Sequence, residues 1–210
     1  MKHKILIAAL TLFSIHYMKA QEEAISQPTE KSLYVKGNAL FIPIGVLNAG
    51  LEYQLNQKYT LQGDVFISPW KSFAGHEFQY YSLSLEGRYY FDKAFKHWYV
   101  GANIATASFV LQKWNYWDDG VYINDFDQEF ISSNLYQKGF SVLLGITAGY
   151  QFKVSDNWNI DLYVTAGTSQ DFYKGYDRTT GQRYDVAVKY NKSGEVLPYR
   201  GGVMISYKIK

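Results

Sequence analysis

Between Gly139 and Phe152 the chain reads GFSVLLGITAGYQF, and every second residue from Phe140 onward is apolar while the residues between are small or polar. A period of two belongs to a β-strand, whose successive side chains point to opposite faces. Phe140, Val142, Leu144, Ile146, Ala148, Tyr150 and Phe152 share one face. Gly139, Ser141, Gly145, Thr147, Gly149 and Gln151 share the other, and only Leu143 breaks the alternation. At about 3.3 Å per residue such a strand is roughly 45 Å long. Ordinary globular strands are much shorter, and this length suffices to cross a bilayer core at a steep tilt.

The same alternation recurs along the chain. It is clean over 47–55, 59–68, 80–91, 97–111, 158–167 and 199–210, and looser over 33–43. The expected fold is therefore all-β: an eight-stranded antiparallel up-and-down transmembrane β-barrel over 33–210. Pro69-Trp70 is expected to stop the third strand, because proline cannot donate to a ladder, with a loop over Lys71–Phe78. Tight turns are expected at Asn56–Lys58, Asp92–Lys96 and Lys153–Asn157. Two long segments, Gln112–Tyr136 and Thr168–Pro198, follow odd-numbered strands. Short turns on one side and long loops on the other are the asymmetry of outer-membrane barrels.

Periodicity alone leaves open a soluble, lipocalin-like barrel with its apolar face inside. The polar faces carry Gly, Ser, Thr, Asn and Tyr with few charges, whereas a water-facing surface would carry far more Lys and Glu. Aromatic residues make up 18% of the chain, with 20 Tyr and 5 Trp. Many stand near strand ends, as do Tyr53, Tyr59, Tyr89, Trp98, Tyr150, Trp158 and Tyr207, where a headgroup girdle takes amphipathic rings.

Residues 1–20 have the form of a secretory signal peptide: Lys2 and Lys4, an apolar run from Ile5 to Ile15, and Ala20 before the expected cut. Residues 21–32 read as a short periplasmic segment. Removing the leader's three lysines from the 21 basic residues leaves 18 against 19 acids, with no basic stripe, so nucleic acid is not an expected partner. The absence of cysteine removes disulfides, thiolate metal sites and a lipoprotein anchor.

Several short motifs add a resemblance. Lys36-x-Asn38, Asn48-x-Gly50-Leu51-Glu52-Tyr53, Lys58-x-Thr60-Leu61, Pro69-Trp70, Glu86-Gly87-Arg88-Tyr89-Tyr90, and Gly145 with Gly149-Tyr150 resemble a domain-of-unknown-function family of small outer-membrane proteins of Gram-negative bacteria, grouped with the OmpA-like eight-stranded barrels. The resemblance implies a fold and a compartment, the outer membrane. It transfers no catalytic, metal or cofactor residues.

Two constellations stand out. Glu52, Asp64, Glu86, Arg88, Asp161 and Arg200, with Lys36 and Lys208 near them, fall on the inward face. Unpaired charges there would be costly, so they are expected to form a lumen network that plugs the barrel. Trp114, Tyr116, Trp117 and Tyr122 form an outer-loop recognition surface for protein or glycan, or else pack the loop on the barrel rim. His76 and His97 fall at opposite ends of the barrel, which separates them as partners in a metal site or relay. The expected role is a monomeric, non-enzymatic outer-membrane protein, envelope-structural or surface-interacting, in contact with membrane lipid and without cofactor. A lipid-modifying enzyme and a narrow pore are the alternatives.

Overall fold

The computed structural model describes residues 31–210; the expected signal peptide and most of the segment after it lie outside the described residues. Ten strands follow in order: β1 (Leu33–Asn38), β2 (Leu47–Gln54), β3 (Tyr59–Phe73), β4 (His76–Tyr90), β5 (His97–Leu111), β6 (Val121–Ile123), β7 (Glu129–Ile131), β8 (Leu135–Lys153), β9 (Trp158–Asp177) and β10 (Asn191–Lys208). Eight of them close into one antiparallel ring in the order β1, β10, β9, β8, β5, β4, β3, β2, while β6 and β7 form a separate hairpin. Each ring strand beside its sequence neighbour is the up-and-down arrangement that the alternation predicts. The seam closes where Tyr34 to Asn38 of β1 run against Lys208 to Met204 of β10.

The turns explain the short connections. Asn56 Oδ1 accepts the backbone N–H groups of Lys58 and Tyr59, both at 2.9 Å, which folds the chain from β2 into β3. Ala74 and Gly75 alone join β3 to β4, with φ of 52° and 90°, the left-handed pair a two-residue hairpin requires. This overturns two expectations: Pro69 does not end the strand, and Lys71–Phe78 is not a loop. Pro69 pairs with Gln79, and β2 has already ended its pairing at Leu47↔Ile67, so proline sits on an edge, where a missing N–H is tolerated. The turn after β4 turns Phe95 inward, buried, with its ring 4.4 Å from that of Tyr34. It stoppers the short-turn end.

At the long-loop end the ring stands taller than expected. β8 begins at Leu135 instead of Gly139, β9 continues to Asp177 instead of Gly167, and β10 begins at Asn191 instead of Tyr199. The segment expected to be a loop over Thr168–Pro198 therefore shrinks to 178–190, and the 112–134 connection carries the β6–β7 hairpin.

The two faces have opposite chemistry. Ile146 is 71% exposed on the outer face, together with Leu83, Leu85, Ile104, Phe140, Leu144, Leu162 and Val164. Lys36, Glu52, Gln62, Glu86, Arg88 and Asp161 are buried inside. Leu143, the residue that breaks the alternation, is buried with Ala105 and Ala107 in a small internal apolar cluster.

Candidate functional site

The interior has two storeys. Toward the short turns, long polar side chains from many strands converge and leave no room. Lys36 Nζ lies 2.6 Å from both Glu52 Oε2 and Asp161 Oδ2 and donates to Gln62 Oε1 at 3.1 Å. Arg88 Nε donates to Glu86 Oε1 at 2.5 Å, and its Nη1 reaches Asp161 at 2.8 Å and Glu52 at 3.1 Å. The Arg88 guanidinium also lies over the Tyr99 ring, 4.4 Å from its centroid, while the Tyr99 hydroxyl donates to Asp161 Oδ1 at 2.7 Å. Arg200 donates to Glu86 Oε2 at 2.6 Å and to Asp64. All six network residues expected from the sequence are brought together, and Lys36 joins them. Lys208, near the seam's end, makes no ion pair with a described residue.

Three cations thus face four carboxylates, a buried excess of one negative charge. Neutral donors disperse it: Thr60 to Glu52 at 2.6 Å, Thr147 to Glu86 at 2.7 Å, and Tyr90 to Glu52 at 2.8 Å. The Tyr90 oxygen also lies 2.6 Å from the Gln151 amide. A phenol has one proton, so with that proton on Glu52 the amide presents its nitrogen to Tyr90, which also gives the otherwise unpartnered Gln151 nitrogen an acceptor. Gln62, Tyr90, Tyr99 and Gln151 join the network beyond the residues expected from the sequence, each at an inward position of the alternation. Their polarity at inward positions was the available signal.

Toward the long loops the inward residues are small. Ser82, Ser84, Ala105, Ser141 and Ser169 leave a cavity of about 830 Å³, walled by Phe66, Phe78, Phe109, Leu143 and Leu197, with Arg200 and Asp64 at its floor. On one wall Asp171 accepts hydrogen bonds from Ser141, Ser169 and Ser193. At the loop end, Gln137 donates to the Tyr184 hydroxyl at 2.6 Å, and Tyr184 packs edge-on against Tyr116 and Tyr122. Burial raises the Tyr184 phenol above its ordinary pKa, so it stays neutral in this roof.

The aromatic loop residues therefore divide. Tyr116 and Tyr122 pack the loop against Tyr184. Trp117 stacks on His76 at 4.3 Å, and His76 Nδ1 is 2.9 Å from Gln112 Oε1. Trp114 is 82% exposed, and Val121, Ile123, Phe126 and Ile131 of the nearby hairpin are exposed with it. His97 lies at the other end of the ring, beside Asp92. Among the described residues, no group of three or more His, Cys, Asp or Glu is arranged to hold a metal ion.

A family model described as "Protein of unknown function (DUF3575)" matches residues 6–209, nearly the whole chain. The chain belongs to this family. No curated protein and no solved structure matches it. Membership agrees with the resemblance to a domain-of-unknown-function family carried by the hairpin motifs. Glu86-Gly87-Arg88-Tyr89-Tyr90, one of those motifs, contributes the central arginine, a carboxylate and a phenol of the DUF3575 protein's internal network.

Proposed function

We propose that this DUF3575 protein is an outer-membrane β-barrel of the OmpA-like kind, with a non-enzymatic role in the envelope or at the cell surface. The observation that carries the reading is the inversion of polarity: a band of exposed Leu, Ile, Val and Phe surrounds a buried set of paired ions. In water that band would be an exposed apolar area far larger than soluble monomers carry. In a bilayer it is the required surface, since a closed ring satisfies the backbone groups through its own ladders. The long-loop asymmetry and the ring of Tyr and Trp near strand ends support the same placement.

The filled storey argues against a through-pore, because Lys36, Glu52 and Arg88 side chains with no solvent exposure occupy the cross-section. The surface role rests on Trp114 and the apolar residues of the β6–β7 hairpin, an exposed aromatic and aliphatic patch of the kind that contacts protein or glycan. In detergent the unboiled protein should migrate on a gel differently from the boiled one, because a closed barrel resists unfolding by detergent at room temperature. Identical mobility, with solubility in plain buffer, would overturn the membrane placement.

A further inference from the structure

The wall of the ring has a gap at the level of the cavity. β1 leaves β10 at Asn38↔Met204, and β2 leaves β3 at Leu47↔Ile67, yet β10 continues to Asn191 and β3 to Phe73. Residues 191–202 of β10 and 68–73 of β3 thus have a strand neighbour on one side only, β9 and β4 respectively. Between these two edges lies just the 39–46 connection, with its single turn of 3₁₀-helix at Ile42–Ile44.

Both edges are built to stay apart. The connection is tied down on one side by Trp70 Nε1, which donates to Ile44 O at 2.9 Å, and on the other by Asn38 Nδ2, which donates to Gly201 O at 3.2 Å. The β10 edge carries Pro198 and a register break between Pro198 and Arg200, two devices that blunt a strand edge against pairing. That break also aims Tyr199 and Arg200 to the same side, inward, and the Tyr199 hydroxyl donates to Asn103 at 2.8 Å.

The gap meets the cavity along its β10 edge, where Leu197 and Gly201 line it; on the other side the lining is Phe41 of the 39–46 connection and Phe66, which is still paired with Asn48 of β2. The floor is closed by the ion network, and Gln137 with Tyr184 stands across the loop end. The volume falls within the range of small-ligand pockets, about 300–1,000 Å³. Register links Val196 and Pro198 on the β10 lip, through Thr168 and Ala166, to Leu144 and Ile146 of the outer apolar band. The lip therefore belongs to the same band that the membrane reading places in lipid. Val196 is 87% exposed there.

We propose that the gap admits a single-chain amphiphile from the bilayer, and that the cavity binds it. This rests on the membrane reading above. The lining selects an aliphatic or aromatic body with an uncharged hydrogen-bonding head. Arg200 and Asp64 at the floor pair with each other, Asp171 accepts from three hydroxyls, and the other polar groups below the rim are uncharged: serine hydroxyls, the phenols of Tyr80, Tyr173 and Tyr199, and the amides of Asn48, Gln112 and Gln137. The charged Glu195 and Lys113 stand exposed at the rim. An anionic head would meet the Asp171 carboxylate and the network's excess negative charge.

Because the chain has no cysteine, one fluorophore can be placed at will. Bimane on Ser82→Cys, in the cavity, is compared with bimane on Leu83→Cys, its outward neighbour, in phosphatidylcholine vesicles titrated with a bromine-tipped long-chain alcohol as quencher. The Ser82 label should quench along a saturating curve, the Leu83 label in proportion to the alcohol dissolved in the bilayer. Ala105→Trp, which fills the cavity, should remove the saturating component while the unboiled gel shift persists. If that variant does not fold, Leu197→Trp at the lip should reduce the same component. Saturation that survives both substitutions, or a Ser82 label that the alcohol never quenches while Leu83 responds, overturns the binding site and leaves the membrane reading standing. Quenching of the Leu83 label by aqueous iodide in place of the alcohol would overturn both.

Discussion

Removing Arg88 is the sharpest test of the buried network. Its side chain is 1% exposed as a residue and contacts three carboxylates, Glu86 at 2.5 Å, Asp161 at 2.8 Å and Glu52 at 3.1 Å. With Arg88→Ala the enclosed charge goes from one negative to two, and Glu52 and Asp161 are left to share Lys36. Breaking a buried pair by removing one partner costs about 3–5 kcal/mol, and the lost packing on Tyr99 acts in the same direction. Lowering the acid count should return part of this: Glu86→Gln in the Arg88→Ala background should cost less than the two single changes summed. The expected coupling is about 1–3 kcal/mol. It should not be complete, since Glu86 also accepts from Arg200 and Thr147. Urea unfolding of the protein in lipid vesicles, read as a shift of midpoint at constant slope, measures all four corners of the cycle. An Arg88→Ala midpoint within about 0.5 kcal/mol of the parent, the range of ordinary surface substitutions, would mean that water reaches these ions and that the storey is not sealed.

Other perturbations probe the two faces separately. Ile146→Arg, at a 71% exposed outer position, should cost about 2–4 kcal/mol in vesicles if it faces the bilayer midplane; an unchanged urea midpoint would refute that placement. Gly149→Ala would put a Cβ 2.4 Å from the Tyr99 ring, whereas Gly37→Ala meets nothing within 4 Å, so the first should lose about 1–3 kcal/mol by overpacking and the second should be near neutral in the same assay. Asn56→Ala removes an acceptor of two turn N–H groups and should lower stability by about 0.5–1.5 kcal/mol, seen as a lower urea midpoint.

Alternation made the strands legible wherever the outside is apolar and the inside polar, as from Leu47 to Leu55 or across Gly139–Phe152. It failed in the tall part of the ring for a physical reason. From Thr168 to Asp177 the sequence TSQDFYKGYD carries polar residues on both faces, and outward Lys138 and Gln170 are exposed where aliphatic residues stand lower down. With the contrast between faces gone, a strand and a loop look alike in sequence. The register break at Pro198 is similarly silent, because counting back from Arg200 in twos puts Leu197 outside, whereas the chain turns it into the cavity. The members of the ion network were legible from their parity alone. Their pairing was not, since Lys36 meets Asp161 across 125 positions of sequence, and only closure of the ring sets that distance.

Where those ions sit follows from where closure is weakest. β8 and β9 run together from Leu135 to Lys153, but β1 meets β10 only over Tyr34–Asn38 and β2 only over Leu33–Gly37, so the ring is held shut through its shortest strand. Lys36 lies in the middle of that strand and reaches past β10 to Asp161 on β9 and, on its other flank, to Glu52 on β2, while Arg88 on β4 pairs with both of these carboxylates. Thr147 and Gln151 bring in β8, Tyr99 brings in β5, Asp64 brings in β3 and Arg200 brings in β10. Side chains from all eight strands therefore converge at the level of the seam. Above that level β1 has ended, no ladder closes the wall, and small residues replace the ions. A short β1–β2 hairpin thus goes with a filled storey at the seam and, by the same shortness, leaves only the 39–46 connection, and no strand, across the side of the hollow storey.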